Sequence, residues 1–177
     1  MNYTYYYIMN YLPKRYSATP RQLDERNELY SFKDGTCSQH IKDEFCSVIK
    51  KIVRTNKKDY VVLFIPASTS MKTRVRYYSL SIYIEKQTGV TSTIEAINNT
   101  ISFEPMHLSC NRIDHSGSYS IDPKLFNGKR VILIDDVITS GTSFRNVANI
   151  LMKNGAISVI GLFVSKTVNP DWQKRVA

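Results

Sequence analysis

Residues 131–143 read Val-Ile-Leu-Ile-Asp-Asp-Val-Ile-Thr-Ser-Gly-Thr-Ser, and this stretch indicates both the fold and the chemistry of the chain. Its first four residues are apolar and mostly β-branched, which is typical of a strand buried in a parallel sheet. Asp135 and Asp136 follow where that strand should end, and a small loop with hydroxyl side chains and one glycine comes next. Residues 144–154 continue as an amphipathic helix, which Gly155 is placed to end.

A strand, a small loop and a helix start in this order predict a phosphate site, because free backbone N–H groups and the helix dipole converge there. The two carboxylates would repel a bare phosphate. They suit a ligand that also carries vicinal hydroxyls, or a divalent cation. A ribose 5-phosphate meets both requirements, with its diol on the acids and its phosphate in loop 139–143. Because neighbouring strand residues point to opposite faces, both acids reach one sugar only if the chain leaves strand geometry near Asp136.

The run from Ile134 to Ser143 resembles the signature motif of the type I phosphoribosyltransferases. The resemblance implies an α/β fold with a mostly parallel central sheet flanked by helices, and a site for phosphoribosyl pyrophosphate. Asp135 and Asp136 are then expected to be catalytic and to act on Mg²⁺, the implied cofactor, through the substrate. The expected ribose 5-phosphate site consists of Asp135, Asp136, Val137, Ile138, Thr139, Ser140, Gly141, Thr142 and Ser143.

A second small, hydroxyl-rich turn, Pro66-Ala-Ser-Thr-Ser70, follows the apolar strand of residues 60–65. It resembles the pyrophosphate loop of the same family, and cations come just beyond it. Cations aimed at charge that develops on a leaving group are a large catalytic contribution, so Lys72 and Arg76 are also expected to be catalytic. An ordinary connection is the alternative interpretation of this turn. The expected pyrophosphate-binding residues are Ala67, Ser68, Thr69, Lys72, Arg74 and Arg76.

Residues 104–127 show no clear period, and a long loop in a compact domain is often a functional lid. In the family that the signature resembles, a mobile segment commonly closes over the reactants before the signature strand. Residues 109–120 are the candidate here, with Arg112 and His115 placed to contact pyrophosphate or the acceptor. A solvent-facing loop position is the alternative interpretation of His115.

The remainder of the chain predicts alternating helices and strands, and hence a largely parallel sheet with ligands beyond the strand carboxyl ends. We expect one phosphoribosyltransferase-like domain over residues 1–177, with a helical or hood-like part over about 1–58 and a core over about 59–167. The several tyrosines between residues 3 and 16 suit an N-terminal strand or a subunit contact, or else an aromatic platform for a base. Helices are predicted over residues 20–32, 41–52 and 77–86, and strands over residues 94–103 and 157–164.

The segment Ser31-Phe-Lys-Asp-Gly35 resembles a Phe-Lys-x-x-Gly pattern of the competence-associated branch of the family, to which the chain is most similar overall. The likeness runs from about residue 30 to residue 167. The cysteines that often bind zinc at the start of such proteins are absent. No segment matches a hood specific for one base, so the expected acceptor is nucleobase-like and otherwise unassigned.

The formal net charge is +9, and much of the excess lies in residues 50–76. This stretch favours a polyanion, either nucleic acid or pyrophosphate, while a solvated helix face is the alternative for residues 50–58. No apolar run reaches membrane-spanning length and no Cys-x-x-Cys pair occurs, so a cytoplasmic protein with no membrane partner is expected. P-loop and Rossmann motifs are absent. Homodimers are usual in the family. A non-catalytic sensor of phosphoribosyl pyrophosphate that acts on a partner or nucleic acid is the alternative function.

Overall fold

A computed structural model describes residues 3–54, 56–99 and 119–169 of the chain. Its central sheet contains strands β1 (Tyr5–Tyr11), β2 (Tyr60–Phe64), β3 (Thr91–Thr93), β6 (Arg130–Ile138) and β7 (Ser158–Thr167). Strands β4 (Ile97–Asn99) and β5 (Tyr119–Ile121) form a separate antiparallel pair. The helices are α1 (Pro20–Lys33), α2 (Gln39–Ile52), α3 (Ser70–Thr88) and α4 (Thr142–Lys153).

The central sheet is parallel throughout and has the strand order β1-β7-β6-β2-β3. Apolar residues cover both of its faces. Ile132 and Ile134 of β6 pack into a core with buried residues of α1, α2 and α3, whereas Val131 and Leu133 pack into a second core with α4. This architecture confirms the predicted fold class, a mostly parallel α/β sheet flanked by helices.

The sheet has a topological switch point between β2 and β6. The chain leaves β2 through α3 and returns to the sheet at β3, whereas it leaves β6 through α4 and returns on the opposite side at β7. Ligands of open α/β sheets bind beyond the strand carboxyl ends at such a point. Pairing of β2 with β6 ends at Phe64 and Ile134, while β6 stays paired with β7 as far as Ile138. A crevice therefore opens beside the last four residues of β6.

Helix α1 confirms the sequence prediction in detail. Thr19 is its N-cap and Pro20 its first residue, and the side chain of Gln22 accepts a hydrogen bond from the N–H of Thr19 to complete a capping box. Reciprocal bonds of this kind satisfy N–H groups that have no partner within the helix.

Helix α3 begins at Ser70, seven residues before the predicted start at Tyr77, so that prediction is wrong. Its N-cap is Thr69, whose hydroxyl accepts a hydrogen bond from the N–H of Lys72 at 3.2 Å. Lys72, Arg74 and Arg76 therefore lie in the first two turns of a helix, where Arg74 points to a different side from Lys72 and Arg76. Turns of 100° per residue send positions two apart to different sides of the helix.

The strand predicted over residues 94–103 is also only partly right. Its first residues form a turn after β3, and Ile97–Asn99 forms β4, which pairs with β5 rather than with the central sheet. Residues 100–103 lie outside the described residues, as do Arg112 and His115. Among the helices that the structure describes, none combines the length and apolar character needed to cross a membrane.

Candidate functional site

Asp135 and Asp136 lie at the crevice beside β6, where β2 has already ended. The strand continues to Ile138, but Asp136 is missing from its register with β7, so the strand is irregular at the position where a departure from strand geometry is expected. The side to which residues point does change there. Ile132 and Ile134 pack on the α3 side, as does Val137, although strict alternation would send Val137 to the α4 side. The two intervening acids thus both reach α3.

The carboxylate of Asp136 is buried between two cations. Its Oδ2 accepts a hydrogen bond from Nη1 of Arg76 and lies 3.7 Å from Nζ of Lys33. The side chains of Arg76 and Asp136 are only 13% and 12% exposed, whereas that of Lys33 is 34% exposed. Asp136 is therefore held mainly by Arg76 in a poorly hydrated pair, in which charge attraction is much stronger than at the surface.

Asp135 is held by hydrogen-bond donors, and no ion pair of the described residues includes it. Its Oδ1 accepts hydrogen bonds from the hydroxyl of Tyr77 at 3.2 Å and from the N–H of Asp136 at 2.8 Å. Burial and the neighbouring charge of Asp136 raise the pKa of Asp135 to about 7, which outweighs the opposing effect of these two donors. Burial and the nearby carboxylates also raise the pKa of Tyr77 well above its ordinary value, so its hydroxyl stays protonated and donates.

Each acid keeps one oxygen free of the hydrogen bonds that the structure describes. The described bonds to Asp135 all end on Oδ1 and those to Asp136 on Oδ2, which leaves Oδ2 of Asp135 and Oδ1 of Asp136. Carboxylate oxygens accept hydrogen bonds from hydroxyl groups. The pair can therefore accept from two hydroxyl groups at once, as a vicinal diol would offer.

Lys33, Tyr77 and Tyr119 belong to this environment although the sequence pattern assigned none of them to the site. Tyr119 stands close enough to Asp135 that this carboxylate, after burial, raises the pKa of the phenol. Lys33 lies in the segment Ser31-Phe-Lys-Asp-Gly35, and the resemblance of this segment to a family pattern that contains a cation was the available signal for it. No local pattern identifies the two tyrosines, because they reach the acids from separate elements.

The end of α1 is attached to the start of α3 beside the acids. The main-chain carbonyl of Lys33 accepts a hydrogen bond from Nε of Arg76 at 3.3 Å, and the ring of Phe32 packs 5.9 Å from that of Tyr77. Gly35 approaches α3 so closely that an added Cβ would lie 2.5 Å from Cγ1 of Val75. This contact fixes Lys33 and Arg76 on the same carboxylate.

Loop 139–143 has the geometry of an anion cradle at the N-terminus of α4. Gly141 is the N-cap with φ of +73°, and no side-chain hydrogen bond caps the helix. The loop is tied to β7 by the hydroxyl pair Thr139–Thr167 at 2.7 Å. A cavity of about 280 Å³ lies against Ser140 and Gly141, with Arg145 at its side. The helix dipole, the uncapped first turn and a guanidinium all favour an anion there.

Hydrogen bonds to residues of α3 and β4 hold loop 66–70 in place. The N–H of Ala67 donates to Oγ1 of Thr73 at 2.9 Å, and the Thr73 hydroxyl in turn donates to the carbonyl of Thr69 at 3.0 Å. The side-chain amide of Asn99 donates to the carbonyl of Ala67. A cleft of about 440 Å³ separates this loop and the start of α3 from β4. The amide of Ala67 is thus already occupied, while Ser68 and Thr69 line the cleft.

The structure separates the three cations of α3. Arg76 turns toward Asp136, Arg74 lines the cleft beside loop 66–70 with its guanidinium 4.9 Å from the ring of Tyr78, and Lys72 is exposed. Within residues 3–54, 56–99 and 119–169, no three His, Cys, Asp or Glu side chains are grouped so as to hold a metal ion. In that part of the chain Asp135 and Asp136 form a pair without a third acid.

No protein-family model and no curated protein matches the chain. Solved structures do resemble it. An adenine phosphoribosyltransferase has a TM-score of 0.49 at 17% identity over 78% of this chain and 73% of its own. A hypoxanthine phosphoribosyltransferase from Staphylococcus aureus has a TM-score of 0.45 at 13% identity over 80% and 76%. A phosphoribosylpyrophosphate synthetase from Mycobacterium smegmatis has a TM-score of 0.46 at 19% identity over 76% of this chain.

The chain spans only 36% of the length of that synthetase. At these identities the likeness is one of fold alone. The solved structures include phosphoribosyltransferases, the family whose signature the sequence resembles.

Proposed function

We propose that the protein is a phosphoribosyltransferase that transfers ribose 5-phosphate from phosphoribosyl pyrophosphate to a nitrogenous acceptor and releases pyrophosphate. One observation carries this proposal. The acid pair lies in the last part of β6, loop 139–143 follows β6, loop 66–70 follows the adjacent β2, and all three border the switch-point crevice between these strands. A sugar with phosphate groups at both ends matches this arrangement.

In the proposed complex, Asp135 and Asp136 accept hydrogen bonds from the 2- and 3-hydroxyls of the ribose through their free oxygens. Their negative charge also steadies the positive charge that develops at the anomeric carbon when the pyrophosphate departs. Carboxylates do comparable electrostatic work in glycosidases. Arg76 and Lys33 share the charge of Asp136, so Asp135 carries the larger part of this task in its ionised form.

The 5-phosphate is proposed to lie on the backbone N–H groups of loop 139–143 and the first turn of α4. Support comes from the glycine N-cap, which has no side chain to cap the helix, so that the one described side-chain bond to these groups is from the N–H of Thr142 to Oγ of Ser140 at 3.4 Å. Val137 and Ile138 complete the approach to the loop at the end of β6. Thr139, Ser140, Thr142 and Ser143 supply hydroxyls around the phosphate.

The departing pyrophosphate is proposed to meet Ser68, Thr69, Lys72 and Arg74 beside loop 66–70. Arg74 already lines the cleft there, and Lys72 is free to swing because its side chain is exposed. Ala67 takes part through its position in the loop, since its N–H bonds Thr73. Arg76 forms an ion pair with Asp136 and acts on the reaction through that carboxylate. Its guanidinium reaches the pyrophosphate only if this ion pair breaks.

Mg²⁺ is proposed as the cofactor, and the residues present are compatible with an ion that is held mainly by the substrate. The paired carboxylates alone do not make a protein metal cage, but Mg²⁺ commonly takes most of its ligands from water and substrate phosphates. The substrate would hold the ion, and Asp135 and Asp136 would influence it through the ribose. When bound, Mg²⁺ neutralises negative charge on the leaving group.

The acceptor is proposed to be nucleobase-like, and a homodimer is proposed as the working form. Support for the dimer comes from α3, where Met71, Val75, Tyr78 and Ile82 form an exposed apolar stripe. Met71 and Ile82 stand at equal distances from the middle of this stripe, as do Val75 and Tyr78. A second copy of α3 lying antiparallel about a two-fold axis would therefore set each residue against its counterpart.

A non-catalytic sensor of the same ligand is the second candidate, and two observations favour it. Asp136 is already engaged by Arg76 and Lys33, and the N–H of Ala67 is already engaged by Thr73. Both contacts leave fewer polar groups of the site free to interact with the reacting substrate. Binding alone needs only the free oxygens and loop 139–143.

Pyrophosphate release in the presence of Mg²⁺, phosphoribosyl pyrophosphate and a panel of nucleobases tests the proposal. We expect release with at least one base, and loss of release in the variant Asp135→Asn/Asp136→Asn. The matched control, Asp24→Asn/Asp59→Asn, removes the same charge at exposed positions and should keep activity. Thermal stabilisation by the ligand without release for any base would identify the sensor. Undiminished release in the site variant would contradict both candidates.

A further inference from the structure

We propose that the amino-terminal edge of the central sheet binds the phosphate backbone of nucleic acids. Cations precede the two central strands at this edge. Lys57 and Lys58 lead into β2, while Lys129 and Arg130 lead into β6. The two segments touch: Tyr60 pairs with Arg130, and Nζ of Lys129 donates to the carbonyl of Lys58. Segments far apart in the sequence thus form one cationic surface.

Helix ends enlarge this surface. In a parallel α/β sheet each crossover helix returns to the edge where strands begin, so the C-termini of α2 and α4 lie there. Lys50 and Lys51 are in the last turn of α2 and Lys153 is in that of α4, and all three are exposed. Arg54 follows α2 and is exposed as well.

Helix dipoles explain only part of this accumulation. A lysine in a last helical turn is stabilised by the negative end of the dipole, typically by about 0.3–1 kcal/mol. That account covers Lys50, Lys51 and Lys153. It extends to Lys57, whose Nζ lies against Gly89 at the C-cap of α3, but it does not cover Lys58, Lys129 and Arg130, which lie outside the α-helices at the starts of two strands.

The cations of this surface form no ion pair within the part of the chain that the structure describes. Ion pairs there join Arg21 with Glu25, and Asp136 with Arg76 and Lys33, and none involves the amino-terminal edge. Asp59 stands among the cations, but its described contact is with the side-chain amide of Asn56. An uncompensated cluster of this size creates a positive potential that attracts polyanions.

The chemistry of the edge favours nucleic acid over a lipid surface. Membrane association by a basic surface needs a cluster of apolar side chains that enter the lipid. Ile157 is the exposed large apolar residue next to Lys129, to whose carbonyl its N–H donates, and the ring of Tyr60 is buried under Arg130. Phosphate contacts without base stacking or base readout are therefore expected.

This surface does not overlap the proposed sugar-phosphate site. At about 3.3 Å per residue, Arg130 and Asp136 lie roughly 20 Å apart along β6. Nucleic acid and phosphoribosyl pyrophosphate can bind at opposite edges of the sheet at once. The proposal therefore stands or falls separately from the transferase activity, and the variant Asp135→Asn/Asp136→Asn should bind nucleic acid as the wild type does.

Fluorescence anisotropy with a labelled RNA of about 20 nucleotides, alone and as a duplex, tests the surface over a range of salt concentrations. The test variant is Lys51→Gln/Lys57→Gln/Lys58→Gln. Each lost phosphate contact should lower the slope of log affinity against log salt by about 0.7–0.9. We therefore expect the slope to fall by about 2 and the affinity at low salt to fall at least about tenfold.

The control variant, Lys14→Gln/Arg15→Gln/Lys42→Gln, removes the same charge elsewhere and should change affinity less than about twofold. Thermal unfolding of both variants establishes that each is folded. Three results would overturn the proposal: no binding by the wild type at low salt, equal losses in both variants, or binding to anionic lipid vesicles without binding to RNA.

Discussion

Adjacent carboxylates in a crevice repel each other, and the protein treats the two acids differently. Asp136 is paired with the cations of Arg76 and Lys33. Asp135 is instead held by hydrogen-bond donors, and its pKa rises to about 7 through burial and the charge of Asp136. Near neutral pH Asp135 is therefore only partly ionised.

This difference predicts the pH dependence of the reaction. Because only ionised Asp135 can steady positive charge on the ribose, kcat/KM should rise as the pH increases through about 7. In Tyr77→Phe the carboxylate loses a donor that lowers the pKa of Asp135, so the inflection should move to higher pH. The measurement is pyrophosphate release against pH for both proteins. An inflection that stays in place would show that Tyr77 has a packing role only.

The same pKa predicts a stability change of defined sign. The folded pKa of Asp135 lies above that of an unfolded aspartate, so between about pH 4 and 7 the folded state binds more protons. The stability that this group contributes is complete below about pH 4 and is lost as the pH rises through about 7. Urea unfolding of the wild type and of Asp135→Asn should therefore agree most closely below about pH 4, and the wild type should lose stability relative to the variant as the pH rises through about 7. A difference that is constant with pH would contradict this assignment.

A double-mutant cycle can test the Arg76–Asp136 ion pair. Arg76→Met leaves a poorly hydrated carboxylate with Lys33 alone and should lower the free energy of unfolding by about 3 kcal/mol. Combining it with Asp136→Asn should restore at least half of that loss. The control Lys33→Met removes the more exposed cation and should cost less than about 1 kcal/mol. Additive losses in the double variant would show that the two side chains are not coupled.

At the scale of elements, the junction between α1 and α3 assembles the site. Gly35 has φ of +97° and no space for a Cβ, because Val75 lies against it. Gly35→Ala should therefore both strain the backbone and push the end of α1, with Lys33, away from Asp136.

A second glycine provides the control for this substitution. Gly128 has φ of +70° but nothing within 4 Å of the position that a Cβ would take, so Gly128→Ala should cost only the conformational strain, about 1–2 kcal/mol. We expect Gly35→Ala to lower the free energy of unfolding by more than Gly128→Ala and to weaken ligand binding in addition. Equal effects in chemical denaturation and in ligand titration would contradict the role of this junction.

Helix α3 presents apolar residues on two sides, and its outer stripe predicts the oligomer. Met71, Val75, Tyr78 and Ile82 are 69%, 50%, 47% and 52% exposed. Sedimentation should give a dimer for the wild type and a monomer for Val75→Asp/Ile82→Asp. The control Ile157→Asp charges a similarly exposed residue elsewhere and should leave the dimer intact. A wild-type monomer at micromolar concentration would rule out this interface.

At the scale of the whole molecule, the parallel sheet places different groups at its two edges. Its carboxyl edge carries the acid pair and both small loops, whereas its amino edge carries exposed lysines and arginines from several segments. This separation follows from topology, since all strands point the same way and every crossover returns to the amino edge. It gives the molecule two surfaces with different proposed ligands.

The sequence predicted the features that are encoded locally. The strand, acids, loop and helix of residues 131–154 carry their own signals in order, and so does α1, whose start at Pro20 was predicted. The start of α3 was missed because its apolar residues face both the core and solvent, which removes the one-sided period that marks a helix. Thr69 is a residue type that commonly caps helices, but Ser68 and Ser70 beside it are as well, so the sequence did not single it out.

Other features depend on tertiary structure and have no local signal. The pairing of Arg76 with Asp136 joins residues 60 positions apart, whereas the sequence pattern had assigned Arg76 to pyrophosphate. Lys33 reaches the same carboxylate from α1, and Tyr77 reaches Asp135 from α3. Only the packing of α1 and α3 on one face of the sheet brings these groups together.

The central claim is that Asp135, Asp136 and loop 139–143 hold an activated ribose phosphate. Calorimetric titration of phosphoribosyl pyrophosphate with Mg²⁺ tests it most directly. We predict one molecule bound per chain, and affinity at least about 100-fold weaker in Asp135→Asn/Asp136→Asn, because two hydrogen bonds to charged acceptors are lost at about 1.5–3 kcal/mol each. Equal affinity in the two proteins, or no heat of binding to the wild type, would contradict the claim.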